Sequence, residues 1–253
     1  SEKKILTALR VVANSNGYHP VREYLNHLDW DGTPRVRFAL HHFLGAEVSD
    51  LNEELLRLFM LGAVTRIFQP GHKFDMMLCL TGGQGAGKSS FFRFLAGNDE
   101  WFSDDLRRLD DENIYRSIMG HWIIEMSEMI ATVNAKNVEE IKSFLSRQKD
   151  TYKVPYDKFP ADRPRQCVFA GTSNKLDFLP HDRSGNRRFL PIRIDPDKAE
   201  VHILANQQTS RAYFNQLWAE IMVIYRSGEY SLQLSKEASK QLKQEQTTFM
   251  PEN

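Results

Sequence analysis

Eight consecutive residues constrain this chain more than any others: Gly82-Gly83-Gln84-Gly85-Ala86-Gly87-Lys88-Ser89. They fit G-x-x-x-x-G-K-[ST], the pattern of a phosphate-binding loop. Such a loop needs a strand before it and a helix after it, and the flanking sequence supplies both. Met76-Met77-Leu78-Cys79-Leu80 is an unbroken apolar run, which reads as a strand of a parallel sheet buried on both faces. Ser90-Phe91-Phe92-Arg93-Phe94-Leu95-Ala96 reads as a short helix stopped by Gly97. Glycines let the backbone turn several N–H groups inward, and the helix N-terminus adds donors and partial positive charge. Lys88 is then placed to reach the β- and γ-phosphates of a nucleotide, and the Ser89 hydroxyl to ligate Mg²⁺. The candidate nucleotide-binding residues are Gly82, Gly83, Gln84, Gly85, Ala86, Gly87, Lys88, Ser89 and Ser90.

The rest of the chain supports an α/β fold around that loop. Residues 2–14 have apolar positions at helical spacing, Pro20 opens a second helix, and residues 36–44 form a third. Residues 50–68 read as a long amphipathic helix, with Leu51, Leu55, Leu58, Phe59, Gly62, Ala63, Arg66 and Ile67 on one face, ended by Pro70-Gly71. From residue 74 the pattern alternates. Strands are expected at 75–81, 121–126, 166–172 and 188–194, and helices at 88–96, 110–119 and 136–147, which points to a parallel sheet. Helices return at 210–226 and 235–246. The expected organisation is therefore an N-terminal helical subdomain over 1–70, a P-loop core over 71–197 and a C-terminal helical segment over 198–253.

Three further stretches carry chemistry. Trp122-Ile123-Ile124-Glu125-Met126-Ser127-Glu128 is an apolar strand ending in acids. Glu125 suits a role in holding Mg²⁺ and Glu128 a role as base toward an attacking water. Cys167-Val168-Phe169-Ala170-Gly171-Thr172-Ser173-Asn174 is a second buried strand, whose Asn174 amide is a candidate for contact with the γ-phosphate and water. Arg187 and Arg188 open the last strand with planar donors suited to phosphate. An arginine offered to a neighbouring subunit's γ-phosphate would act in trans.

The protein as a whole carries 33 basic and 33 acidic residues, so it has no global basic signal for nucleic acid. Residues 142–193, however, hold 12 Lys and Arg against 5 Asp and Glu. Within them Lys149-Asp150-Thr151-Tyr152-Lys153-Val154-Pro155-Tyr156 interleaves cations with aromatic rings, a composition suited to single-stranded DNA. Lys149, Tyr152, Lys153 and Tyr156 are the candidate DNA contacts. Cys79 and Cys167 fall in apolar runs and read as buried thiols of a reducing compartment. Without a signal peptide or an 18-residue apolar run, a cytoplasmic protein with no membrane partner is expected. The chain begins at Ser1 and is expected to be a piece of a longer protein.

These motifs converge on a family. The chain resembles the virulence-associated protein E family, P-loop proteins of prophages and genomic islands that look like superfamily 3 helicases. The resemblance runs through His19-Pro20-Val21, Trp30-Asp31-Gly32, Pro70-Gly71-His72-Lys73-Phe74-Asp75 and Gly83-Gln84-Gly85. It continues through Glu125-Met126-Ser127-Glu128, Tyr152-Lys153-Val154-Pro155-Tyr156, Phe169-Ala170-Gly171-Thr172-Ser173-Asn174 and Gly185-Asn186-Arg187-Arg188-Phe189.

The resemblance implies an AAA+-like core in which the loop strand lies beside the strand ending at Asn174. It implies Lys88 and Ser89 as the Walker A pair, Glu125 and Glu128 as Walker B acids and Asn174 as sensor. One of Arg187 and Arg188 would act across a subunit interface, and Lys153 would sit on a hairpin facing a DNA channel. It further implies a ring, often a hexamer, and a primase-like domain ahead of the ATPase in some relatives. The expected activity is an ATP-hydrolysing, Mg²⁺-dependent helicase or translocase of phage, prophage or genomic-island replication. The alternatives are a nucleotide-gated assembly module with little hydrolysis and a small-molecule kinase.

Overall fold

A computed structural model of the chain describes residues 4–5, 8, 18–106, 109, 114–127, 135–153, 159–179 and 186–251. Five strands form one parallel sheet: β1 (Met77–Thr81), β2 (Phe102–Ser103), β3 (Ile123–Glu125), β6 (Val168–Ser173) and β7 (Phe189–Arg193), in the order β2-β3-β6-β1-β7. The loop strand β1 lies between β6 and β7 and is buried at all five positions, as its apolar run requires. Strands β4 (Lys149–Tyr152) and β5 (Ala161–Pro164) make a separate antiparallel hairpin.

Alternation along the strands sorts side chains into two cores. Leu78, Leu80, Val168, Ala170, Leu190, Ile192 and Ile123 face one core. Met77, Cys79, Phe169, Phe189 and Ile124 face the other. Burying apolar residues on both faces of a strand is what a parallel sheet demands, because helices cover both sides. The first core is closed by helices α1 (Pro20–Asn26), α2 (Val36–Leu44), α3 (Asp50–Phe68), α4 (Lys88–Leu95), α7 (Gln207–Ser227) and α8 (Lys236–Thr247). The second is closed by α5 (Ile114–Ile118) and α6 (Ala135–Leu145), with Phe178, Leu179 and Phe249. Helices from both ends of the chain thus share one core with the sheet.

Local signals explain the element ends. Pro20 occupies the first turn of α1, and His19 Nδ1 accepts the Arg22 amide at 3.2 Å. Ser49 caps α3 by accepting the Asn52 amide at 3.1 Å, and Asn206 caps α7 through Thr209. Gly45 and Gly228 take left-handed conformations after α2 and α7.

One expectation is corrected. Helix α3 has the predicted bounds but is not amphipathic. From Leu58 to Ile67 every residue is buried. The sheet lies on one side of it and α2, α7 and α8 on the other, so it is an interior helix. Arg66 is buried with it, because its guanidinium donates to the carbonyls of His72, Phe74 and Cys167 at 3.1, 2.6 and 2.7 Å. Trp122 and Trp218 pack with ring centroids 4.4 Å apart and tilted by 31°, and donate to the carbonyls of Ala63 and Leu95, which ties α3, α4 and α7 to β3. No helix among the described residues is long and apolar enough to cross a membrane.

Candidate functional site

The glycine loop leaves the C-terminal end of β1 and enters α4. That is the edge of an open parallel sheet where ligands bind, in the crevice outside the strands' carboxyl ends. Two glycines are required by close approach. At Gly82, φ 158°, a Cβ would lie 2.6 Å from Ile194 Cγ1 and 2.9 Å from the Ile194 carbonyl. At Gly87, φ 82°, it would lie 3.2 Å from Ile203 Cγ2. The left-handed conformation of Gly87 sets the first turn of α4, so Lys88 and Ser89 open the helix with its free N–H groups.

Four elements meet over the loop. Lys88, on α4, is buried and donates to the Gly82 carbonyl at 2.8 Å, the Gly83 carbonyl at 2.7 Å and Asn174 Oδ1 at 2.9 Å. Burial lowers its pKa from the usual lysine range, and Glu125 opposes that shift. Ser89 Oγ donates to Glu125 Oε1 at 2.8 Å, and Thr172 Oγ1 donates to the same oxygen at 2.5 Å. Burial pushes the Glu125 carboxyl up, against the pull of the Thr172 and Ser89 hydrogen bonds. Its second oxygen, Oε2, is buried without a hydrogen-bond partner among the described residues.

Register explains why these side chains converge. Glu125 pairs with Ala170 across the β3–β6 ladder, so Thr172, two residues on, projects from the same face just beyond it. Asn174 follows the last residue of β6, beside Thr81 at the end of β1. The open cleft over the loop has a volume of about 670 Å³; Ser90, Ser127, Lys175, His202 and Leu204 line it together with the loop, Thr172 and Asn174. Of the predicted loop residues, Gln84 through Ser90 line this cleft.

Sequence reasoning gave no role to Thr172, Lys175, His202 or Leu204. Thr172 could have been found by counting back from Asn174 along an alternating strand. His202 and Leu204 lie after the last strand and carry no motif. Glu128 lies outside the described residues, as does Tyr156.

The remaining candidates sit at the other end of the sheet. Arg187 and Arg188 precede β7, whose first residue pairs with Met77, so they are roughly 17 Å from the glycine loop, the length of a five-residue strand. Arg188 Nε bonds Asp75 Oδ2 at 3.0 Å, with both side chains mostly buried, whereas Arg187 is exposed. The β4–β5 hairpin leads into β6 at the same end. Lys149 pairs with Asp162 across it. Tyr152 is stacked on Tyr115, centroids 4.5 Å apart, with the Arg163 guanidinium 5.1 Å from its ring. Lys153 is exposed at the end of β4. The hairpin is anchored by Arg165, which is fully buried and grips Asp150 through two hydrogen bonds of 2.6 and 2.8 Å.

An α/β protein built on a five-stranded parallel sheet, with a glycine loop and a lysine–serine–glutamate cluster at its C-terminal edge, is thus the class that fold and site define. The family model of the virulence-associated protein E-like domain matches residues 25–251, and the chain belongs to that family. Among solved structures it is similar to the A form apo structure of the NrS-1 C-terminal region, at 15% identity and TM-score 0.60, over 89% of this chain and 54% of that one. A second apo structure of that region (305-718) matches at 14% identity and TM-score 0.56, over 87% and 53%. The chain spans about half the length of these structures, and the likeness is one of fold. No curated protein matches it.

Proposed function

We propose that this chain is a P-loop ATPase of the superfamily 3 helicase kind, with an AAA+-like core, that works as a ring on single-stranded DNA in phage, prophage or genomic-island replication. The observation that carries the reading is the convergence of Lys88, Ser89, Glu125, Thr172 and Asn174 on a glycine loop and helix N-terminus at one sheet edge. Membership of the virulence-associated protein E-like family adds the setting.

The residues fit MgATP. A Cβ at Gly83 or Gly85 would meet nothing within 4 Å, so the loop presents open backbone to a ligand. Glu125 keeps one carboxylate oxygen without a partner among the described residues, and Ser89 is exposed beside it. A hydroxyl and a carboxylate are hard oxygen donors of the kind Mg²⁺ takes, so Ser89 and Glu125 would hold it. Bound there, Mg²⁺ would supply positive charge to offset that of the phosphates.

The chain's own groups do the rest. Lys88 exchanges its two loop carbonyls for phosphate oxygens. Asn174, already on Lys88 Nζ, would contact the γ-phosphate and the attacking water. Glu128 takes the proton of that water. Arg187 is the candidate for contact with a neighbour's γ-phosphate, because it is exposed while Arg188 is engaged with Asp75.

The test is ATP turnover per subunit across protein concentration, with and without single-stranded DNA. Turnover should be low in dilute protein and rise with association and with DNA, since an arginine supplied in trans contributes on the order of 10³–10⁵ in rate. Mixing Arg187→Ala with Lys88→Ala subunits should restore part of it. Turnover that is absent under all conditions, or flat in both concentration and DNA, would overturn the reading.

A further inference from the structure

The cleft over the glycine loop has two unlike ends. Strand β1 lies between β6 and β7, so whatever crosses the loop has β6 residues on one side and the continuation of β7 on the other. The β6 side carries Thr172 and Asn174, with Glu125 on the next strand. This hydroxyl, amide and carboxylate suit phosphate and metal. The β7 side carries His202 and Leu204, an imidazole and an apolar side chain that line the same cleft. A nucleotide is itself two-ended, with a triphosphate at one end and a flat, largely apolar base at the other.

The segment that presents His202 and Leu204 is firmly held. Ile194 donates its amide to Thr81 and Asp195 its amide to Leu44. Val201 donates to the His42 carbonyl, and Ser210 of α7 donates to the Ile203 carbonyl at 2.8 Å. Ile203 itself is buried against Gly87, whose missing Cβ lets the segment come down onto the loop. His202 Nδ1 accepts the Leu204 amide at 3.3 Å, which leaves Nε2 as the donor of the neutral ring. Leu204 is 46% exposed, next to the buried Ile203. An exposed apolar side chain at the rim of this cleft is suited to cover one face of a flat ring.

We propose that His202 and Leu204 form the nucleoside subsite of this cleft, with the base laid against Leu204 and the His202 ring. The inference rests on the phosphate-loop reading and goes beyond it by assigning the end that no loop motif defines. It also sets the direction of the bound nucleotide: base toward β7, γ-phosphate toward β6 and β3.

Binding of ATP and of inorganic tripolyphosphate, measured side by side by calorimetry in Mg²⁺ buffer, tests it. Wild-type protein should bind ATP more tightly than tripolyphosphate. His202→Ala and Leu204→Ser should each weaken ATP about tenfold, at the low end of what stacking contributes to a bound base, and leave tripolyphosphate unchanged. Both substitutions are at exposed positions, and unchanged tripolyphosphate binding would itself report an intact fold. Lys88→Ala should weaken both ligands together. Variants that bind ATP as tightly as wild type would overturn the nucleoside subsite while leaving the phosphate loop standing. Wild-type protein that binds neither ligand would overturn the phosphate-loop reading, and the subsite with it.

Discussion

The two ends of the parallel sheet treat charge in opposite ways. At the C-terminal edge, Lys88 is buried against two carbonyls and an amide, and Glu125 keeps one oxygen unsatisfied among the described residues. Neither has an ion-pair partner in direct contact among the described residues. Both are shifted toward their neutral forms by burial. At the N-terminal edge, cations meet acids of the same chain: Arg165 with Asp150, Arg188 with Asp75, Lys149 with Asp162. The first arrangement leaves buried charge without an ionic partner among the described residues, while the second spends it on structure. The basic excess of residues 142–193 therefore overstates the charge available to a nucleic acid.

The sharpest way to break this contrast is to substitute a buried cation at the structural end. Arg165→Ala should cost about 3–5 kcal/mol in denaturant unfolding, because it strands Asp150 and removes the cation from the faces of Phe144 and Phe169. A loss below about 1 kcal/mol would mean the hairpin is not anchored there.

Lys88→Ala should do the reverse. Turnover should fall by about 10²–10³, the range for losing one preorganised donor to developing charge, with the melting temperature within a few degrees of wild type. Collapse of the fold would show Lys88 to be structural after all.

The arginine pair gives a smaller and finer comparison. Arg188→Ala should lose about 1 kcal/mol of stability through Asp75, while Arg187→Ala should lose none beyond the roughly 0.5 kcal/mol expected of a surface change. Equal losses would remove the reason for assigning Arg187 the intersubunit role.

Smallest of all is the effect expected at Lys149. Its pair with Asp162 is exposed and screened by solvent, so both stability and single-strand affinity should change little in Lys149→Ala. Lys153→Ala should weaken DNA binding more and reduce its salt dependence by about one phosphate contact. The opposite ranking in a salt titration would show that the ion pair opens to meet DNA.

Much of this was legible because some signals are local. The loop strand, the glycines, the position of Lys88 and the bounds of α2 and α3 follow from apolar runs, caps and turn residues a few positions apart. The β2 strand was missed because two residues carry no period. The interior character of α3 was missed for another reason: an amphipathic pattern records where apolar residues are, but not how many neighbours cover the helix. Arg66 looked like one polar residue on a buried face; three carbonyls from distant turns make it a core residue.

The sequence by itself determined the glycine loop between strand and helix and the parallel α/β class, because glycine freedom, strand burial and helix periodicity act within a few residues. Only tertiary structure decided which charges are committed. Whether Arg187 or Arg188 is engaged, whether Lys149 is paired, and that Thr172 reaches Glu125 across 47 positions all depend on strand order and register. Those are fixed by long-range packing of the sheet between its helices, and no short window of sequence contains them.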